Sequence, residues 1–169
     1  MKTYHLALLE FFAQGEKDYA GAYVDWEGYD FQTMQELDRL RKELDSPCRV
    51  IRGGAAHGEG KETAVDAIFP EAPFEQVVMA LFRSGLSKGL YEGGSIHLDH
   101  QMGPSGLARC WLAFKPESQQ HLAGLGFFGL KSSSADGWDY YTWGHDWSWD
   151  LLKELVKLNK RPQERSVEV

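Results

Sequence analysis

The sequence predicts a single domain of class α+β, and three observations carry that expectation. Two stretches place apolar residues at helical spacing, several short apolar or β-branched runs lie between glycines and prolines, and 169 residues with 43% hydrophobic content suffice for one core. No internal repeat occurs, and the one linker-like stretch, "KSSSADG", is too short to separate a second domain from the first. The expected organisation is one unit over residues 1–160 and a polar tail over 161–169.

The N-terminal stretch "MKTYHLALLEFFAQGEKDY" lacks a small-residue cleavage site, and its apolar run contains Glu10, so it reads as neither signal peptide nor membrane span. In "YDFQTMQELDRLRKELDSP", Phe31, Met34, Leu37, Leu40 and Leu44 form one helical stripe, with Asp30 as cap and Pro47 beyond the end. "CRVIRGG" is a strand that delivers Arg52 to the loop "GGAAHGEGKE", which carries His57. "TAVDAIF" alternates into a second strand that Pro70 ends. Phe74, Val77, Val78, Leu81 and Phe82 give a second helix, with Pro73 in its first turn and Gly85 as its cap. "SIHLDH" and "LARCWLAF" read as an antiparallel pair of strands joined by the turn "QMGPSG". The last third is aromatic-rich, then amphipathic through Leu151, Leu152, Leu155, Val156 and Leu158, as a closing helix would be.

Charge excludes one class of partner. With 18 basic against 25 acidic residues, a net charge of -7 and a pI near 5.3, the chain offers no electrostatic footprint for nucleic acid. Cys48 and Cys110 lie far apart in apolar runs without a CxxC pattern, as two buried free thiols would.

His57, Asp66 and His97 bring two imidazoles and a carboxylate from segments that look strand-edge or loop-like. Three such ligands with a fourth position left to water is how a hydrolytic zinc site is built, the bound water being acidified to a pKa of roughly 7. His97 and Asp99 are two apart and project from one strand face, while His100 points away. Asp99 then either orients His97 or a structural water, or takes the proton of the attacking water; Glu92 and Glu59 are the other carboxylates near in sequence. Arg52, five residues before His57, is placed either to hold a substrate carboxylate or to solvate a strand end. His5, His100, His121 and His145 read as ordinary surface or packed residues. The aromatic run from Trp138 to Trp149 reads first as packing or subunit contact, with a glycan-binding groove as the functional alternative.

The order of "LDRLRKEL", "VIRGG", His-x-x-Gly with Ala-Val-Asp, a helix, "YEGG" and "IHLD" resembles the M15 peptidases over roughly residues 5 to 100. These are zinc D-Ala-D-Ala carboxypeptidases and murein endopeptidases, and the likeness is greatest to the subgroup with a His-x-Asp second motif. The resemblance implies a small domain of M15 or hedgehog-like peptidase fold, in which helices pack on an antiparallel sheet that carries the metal ligands. It also implies Zn2+ bound by His57, Asp66 and His97, Arg52 contacting the peptide, and hydrolysis of amide bonds in peptidoglycan stem peptides or cross-bridges. Two departures stand out: Asp66 follows His57 by nine residues where the family usually has seven, and Gly94 occupies the position three before His97 where many relatives carry an acid.

The expected activity is therefore that of a zinc metallopeptidase, with Arg52, Asp99 and Glu92 as candidate catalytic residues. Stem peptides would be its partners, without membrane insertion and with the oligomeric state open. Without a secretion signal the chain reads as cytoplasmic, which would suit a phage-encoded enzyme that reaches the wall by other means. The departures motivate the alternative of an inactive peptidase-fold binding protein or virion structural protein.

Overall fold

A computed structural model describes residues 1–57, 62–103, 106–118, 130–133, 137–143 and 147–157. After a helical turn at Thr3–Leu6 (α1), helix α2 runs over Phe31–Leu44, followed by strands β1 (Arg49–Gly53) and β2 (Ala64–Ile68). Helix α3 covers Phe74–Phe82; strands β3 (Ser87–Tyr91), β4 (Ile96–Asp99), β5 (Cys110–Phe114), β6 (Leu130–Ser133) and β7 (Asp139–Trp143) follow. Residues 149–157 are helical (α4), while the predicted Leu158 and tail lie outside the described residues. Among the described residues no helix is long and apolar enough to cross a membrane.

The strands form one sheet in the order β1-β2-β4-β3-β5-β7-β6. This corrects two expectations. The sheet is mixed rather than antiparallel, because β5 lies parallel to β3, and β4 and β5 are not partners. The antiparallel partner of β4 on that side is β3, "SKGLY", reached through a tight turn in which the Gly94 N–H donates to the Tyr91 carbonyl at 2.9 Å. Gly93 and Gly94 both hold positive φ, +100° and +98°, which a tight reversal requires and other residues resist. Gly94, three residues before His97, thus serves this turn.

Side chains alternate across each strand, so the sheet has two unlike faces. Val65, Ala67, Leu90, Ile96, Leu98, Cys110 and Leu112 point to one side and merge with Met34, Leu37 and Leu40 of α2, Val77, Val78 and Leu81 of α3, and Leu152 and Leu155 of α4. Each fully buried aliphatic side chain in this layer contributes about 1.5–3 kcal/mol. Leu6, Leu9, Phe12 and Trp26 of the N-terminal segment extend the same core.

Asp30 caps α2 as expected, accepting the Thr33 N–H at 3.0 Å. For α3 the structure differs: Pro73 is the N-cap, and the helix closes at Arg83, not at Gly85. Its terminal carbonyls find a side-chain donor instead. Lys88, fully buried on the helix side of β3, donates from Nζ to the carbonyls of Phe82 (2.9 Å) and Ser84 (2.7 Å). Cys48 and Cys110 are both buried free thiols, and burial pushes the Cys48 thiol well above its ordinary range.

Candidate metal centre

The face away from the helices carries a single cross-strand row. Arg52 on β1 pairs with Asp66 on β2, Asp66 with His97 on β4, His97 with Gly89 on β3, Gly89 with Trp111 on β5, and Trp111 with Thr142 on β7. Directly opposed residues have Cβ atoms only about 4.5–5.5 Å apart, so this register alone brings Arg52, Asp66 and His97 into contact. His57 arrives from the side, at the end of a 3-10 turn, Gly54–His57, that leaves β1.

His57, Asp66 and His97 each offer a ligand atom within 4.8 Å of the others, and all three are buried. Asp66 lies at the centre: its Oδ1 is 2.8 Å from His97 Nδ1, and its Oδ2 is 3.0 Å from His57 Nε2. The two imidazoles stand edge to face with centroids 4.9 Å apart. The His57 contact lacks hydrogen-bond alignment, and neither ring nitrogen of that buried imidazole has a hydrogen-bond partner. Leaving such a group unsatisfied costs about 1–3 kcal/mol, whereas a cation shared with Asp66 and His97 would use the Nε2 lone pair. The donor set, two imidazoles and one carboxylate, therefore fits a divalent metal ion.

Burial alone would raise the Asp66 pKa. The His57 and His97 imidazoles, by contact and by charge, outweigh it and hold this carboxyl well below the usual carboxylate range. Arg52 donates from Nε to Asp66 Oδ2 at 2.9 Å, with its side chain 47% exposed, so it braces the carboxylate while part of its fork faces solvent.

Above the three ligands opens a cleft of about 520 Å3. Arg52, His57, His97 and Asp99 line it, together with Tyr140 of the aromatic run and with Tyr91, Arg109 and Trp111, none of which stands out as a site residue in the sequence. Asp99 shares the face of His97, and its Oδ1 accepts the Thr63 hydroxyl at 2.5 Å and the Gln101 N–H at 2.9 Å. His97 is held by Asp66 rather than by Asp99. Glu92 is not brought to the site: it follows Tyr91 by one residue, is absent from the cleft lining, and its carboxylate accepts the Lys115 N–H at 3.0 Å. Glu59 lies outside the described residues, as do His121 and His145. His100 reaches Asp30 at 2.7 Å, tying the end of β4 to the start of α2, and His5 stacks on Phe31.

Residues 58–61 of the His57 to Asp66 interval lie outside the described residues, and the three ligand atoms converge across the nine-residue spacing. The aromatic run divides between the two faces. Tyr140 joins Tyr91 and Trp111 in the cleft wall, whereas Trp147 is buried in the core.

Gly89 has a specific task in the row. A Cβ built there would fall 2.1 Å from Trp111 Cε2, because the indole lies across β3 to meet the His97 ring at a centroid distance of 5.0 Å. Gly89→Ala should cost about 1–3 kcal/mol of stability through overpacking. It should also weaken metal affinity by loosening the packing behind His97; a melting temperature and metal affinity equal to wild type would contradict this placement of the indole.

No family model, no curated protein and no solved structure matches this chain.

Proposed function

We propose that the protein is a zinc-dependent peptidase of M15-like fold that hydrolyses amide bonds in peptidoglycan peptides. One observation supports this reading above the others: two buried imidazoles and a carboxylate converge at the floor of an open cleft, not in a closed structural site. Zinc held by His57 Nε2, Asp66 and His97 Nδ1 would polarise the scissile carbonyl and acidify a water. The remaining chemistry falls to the chain. Among the described residues Asp99 is the one carboxylate lining the cleft other than the metal ligands, and both of its hydrogen bonds fall on Oδ1, so Oδ2 is suited to take a proton from the attacking water and pass it to the leaving amine. Arg52, oriented by Asp66, offers its outer N–H groups to a substrate carboxylate. Tyr91, Trp111 and Tyr140 form an aromatic wall that limits water on one side.

The test is metal analysis of the purified protein followed by digestion of wall preparations. One zinc per chain and release of peptides by wild type, both lost in His97→Ala, is the expected result. Bound zinc without cleavage of any wall preparation would favour the inactive binding protein, and cleavage untouched by His97→Ala would defeat the site assignment.

A further inference from the structure

Resting on the peptidase reading above, we propose that the cleft takes a peptide with carboxylates on both sides of the bond presented to the metal ligands, Arg109 holding the carboxylate that Arg52 does not. Arg109 immediately precedes β5, two residues before Trp111, and therefore shares the site face. Its N–H donates to Ser87 Oγ at 2.9 Å, and its side chain lines the cleft beside Gly103, where an added Cβ would lie 3.5 Å from Nε.

The sheet order sets the two arginines on opposite sides of His97. His97 sits on β4, with β1 and β5 each two strands away. At about 4.8 Å per strand, both backbones stand roughly 10 Å from β4 across the sheet, Arg52 in the row of His97 and Arg109 two residues along, level with Ser87 and Asp99, so the line between them crosses the sheet obliquely. Long side chains turned inward shorten that span, and an extended peptide rising about 3.3 Å per residue would cover the remainder with three or four residues. A substrate lying across the strands would thus meet one guanidinium at each end and the metal ligands between them.

Charge points the same way. The chain is acidic, with net charge -7, yet among the described residues this cleft gathers two arginines against one carboxylate beyond the metal ligands, and Asp99 Oδ1 is already committed to Thr63 and Gln101. Among the described residues no carboxylate lies within ion-pair distance of Arg109. An exposed guanidinium with no carboxylate partner among the described residues, facing a concave site, is a ready fork for a substrate carboxylate.

The probe is a soluble stem peptide from a wall digest, compared with versions in which each carboxylate in turn is converted to the carboxamide, using the full zinc-loaded chain. In wild type, amidation of the carboxylate at the Arg109 end should lower kcat/KM about 10- to 100-fold, the usual effect of losing one charge-assisted contact. Arg109→Gln should show a similar loss on the free acid, no further loss on that amidation, and undiminished zinc content and melting temperature. If Arg109→Gln responds to every amidation as wild type does, the second anchor is wrong while the peptidase reading stands. If no peptide is cut, calorimetric titration of the same peptides decides: a preference for the free acid that Arg109→Gln abolishes supports the anchor, and equal affinities overturn it.

Discussion

On the proposed zinc-peptidase reading, Asp66→Asn should abolish metal binding and lower peptide hydrolysis by more than the ten- to hundredfold that loss of an outer-shell partner typically costs. The substitution keeps the shape and changes only the charge and one acceptor. Asp66 offers one oxygen toward His97 and the other toward both His57 and Arg52. An amide serves both sides in one orientation only: with its oxygen turned to the Arg52 N–H, its NH2 faces His97 Nδ1, which must then be the unprotonated nitrogen and spends its lone pair on the amide instead of a metal, and the reverse orientation sets two donors against each other. The sole anionic ligand is also lost, leaving two neutral imidazoles to hold a divalent ion. Because Asp66 is only 3% exposed, the mismatch is not repaired by water, and a stability loss of about 1–3 kcal/mol should accompany it. Zinc stoichiometry, hydrolysis and melting temperature measured on one preparation check the three effects together. A variant that retains one zinc at wild-type affinity would remove Asp66 from the ligand set, and with it the centre of the proposed site.

Much of this geometry is legible in the sequence because strand periodicity is local. The i, i+2 relation of His97 and Asp99, the capping of α2 by Asp30, and the delivery of Arg52 by a short strand all depend on residues near one another in the chain. What escapes depends on strand order. "SKGLY" has a lysine and a glycine at its centre and does not read as a strand, yet Lys88 is buried closing α3 and Gly89 admits the Trp111 indole. With β3 unseen, β4 takes as its apparent neighbour the next run in sequence, β5, although β3 lies between them. The same omission hides the cleft wall: Arg109 and Trp111 join the site only because β5 lies parallel beside β3. The available signal is alternation, since Arg109, Trp111 and Ala113 occupy one face of their strand and Cys110, Leu112 and Phe114 the apolar other.

Gly54→Ala should be the most damaging glycine-to-alanine change among the described residues. Gly54 holds φ at +58°, a region that costs a residue with a side chain about 1–2 kcal/mol. Its neighbours make the position still less tolerant. A Cβ there would fall 1.4 Å from the Gly28 carbonyl oxygen and 2.4 Å from the carbonyl carbon, at the end of the 3-10 turn Trp26–Gly28. No rotamer change relieves a clash with backbone, so one of two anchored segments must move. The first is fixed by Trp26, which is 4% exposed and donates its indole N–H to the Ala13 carbonyl at 3.1 Å. The second is fixed by β1, whose last residue, Gly53, lies so close under the Tyr29 ring that a Cβ would meet it at 2.4 Å. Overpacking and backbone strain together set the expected loss at about 3 kcal/mol or more, a fall in Tm of roughly 6–12 °C for a domain of this size. The consequence for function follows from position: Gly54 opens the turn that ends in His57, so displacement of that turn withdraws one imidazole from Asp66 and should lower zinc occupancy in whatever protein still folds. Gly28→Ala is the matched control, since a Cβ at Gly28 meets nothing within 4 Å, and it should leave both Tm and zinc content near wild type. Equal melting temperatures for the two variants would mean that the N-terminal segment does not lie over the end of β1, and that His57 is brought to Asp66 by some other path.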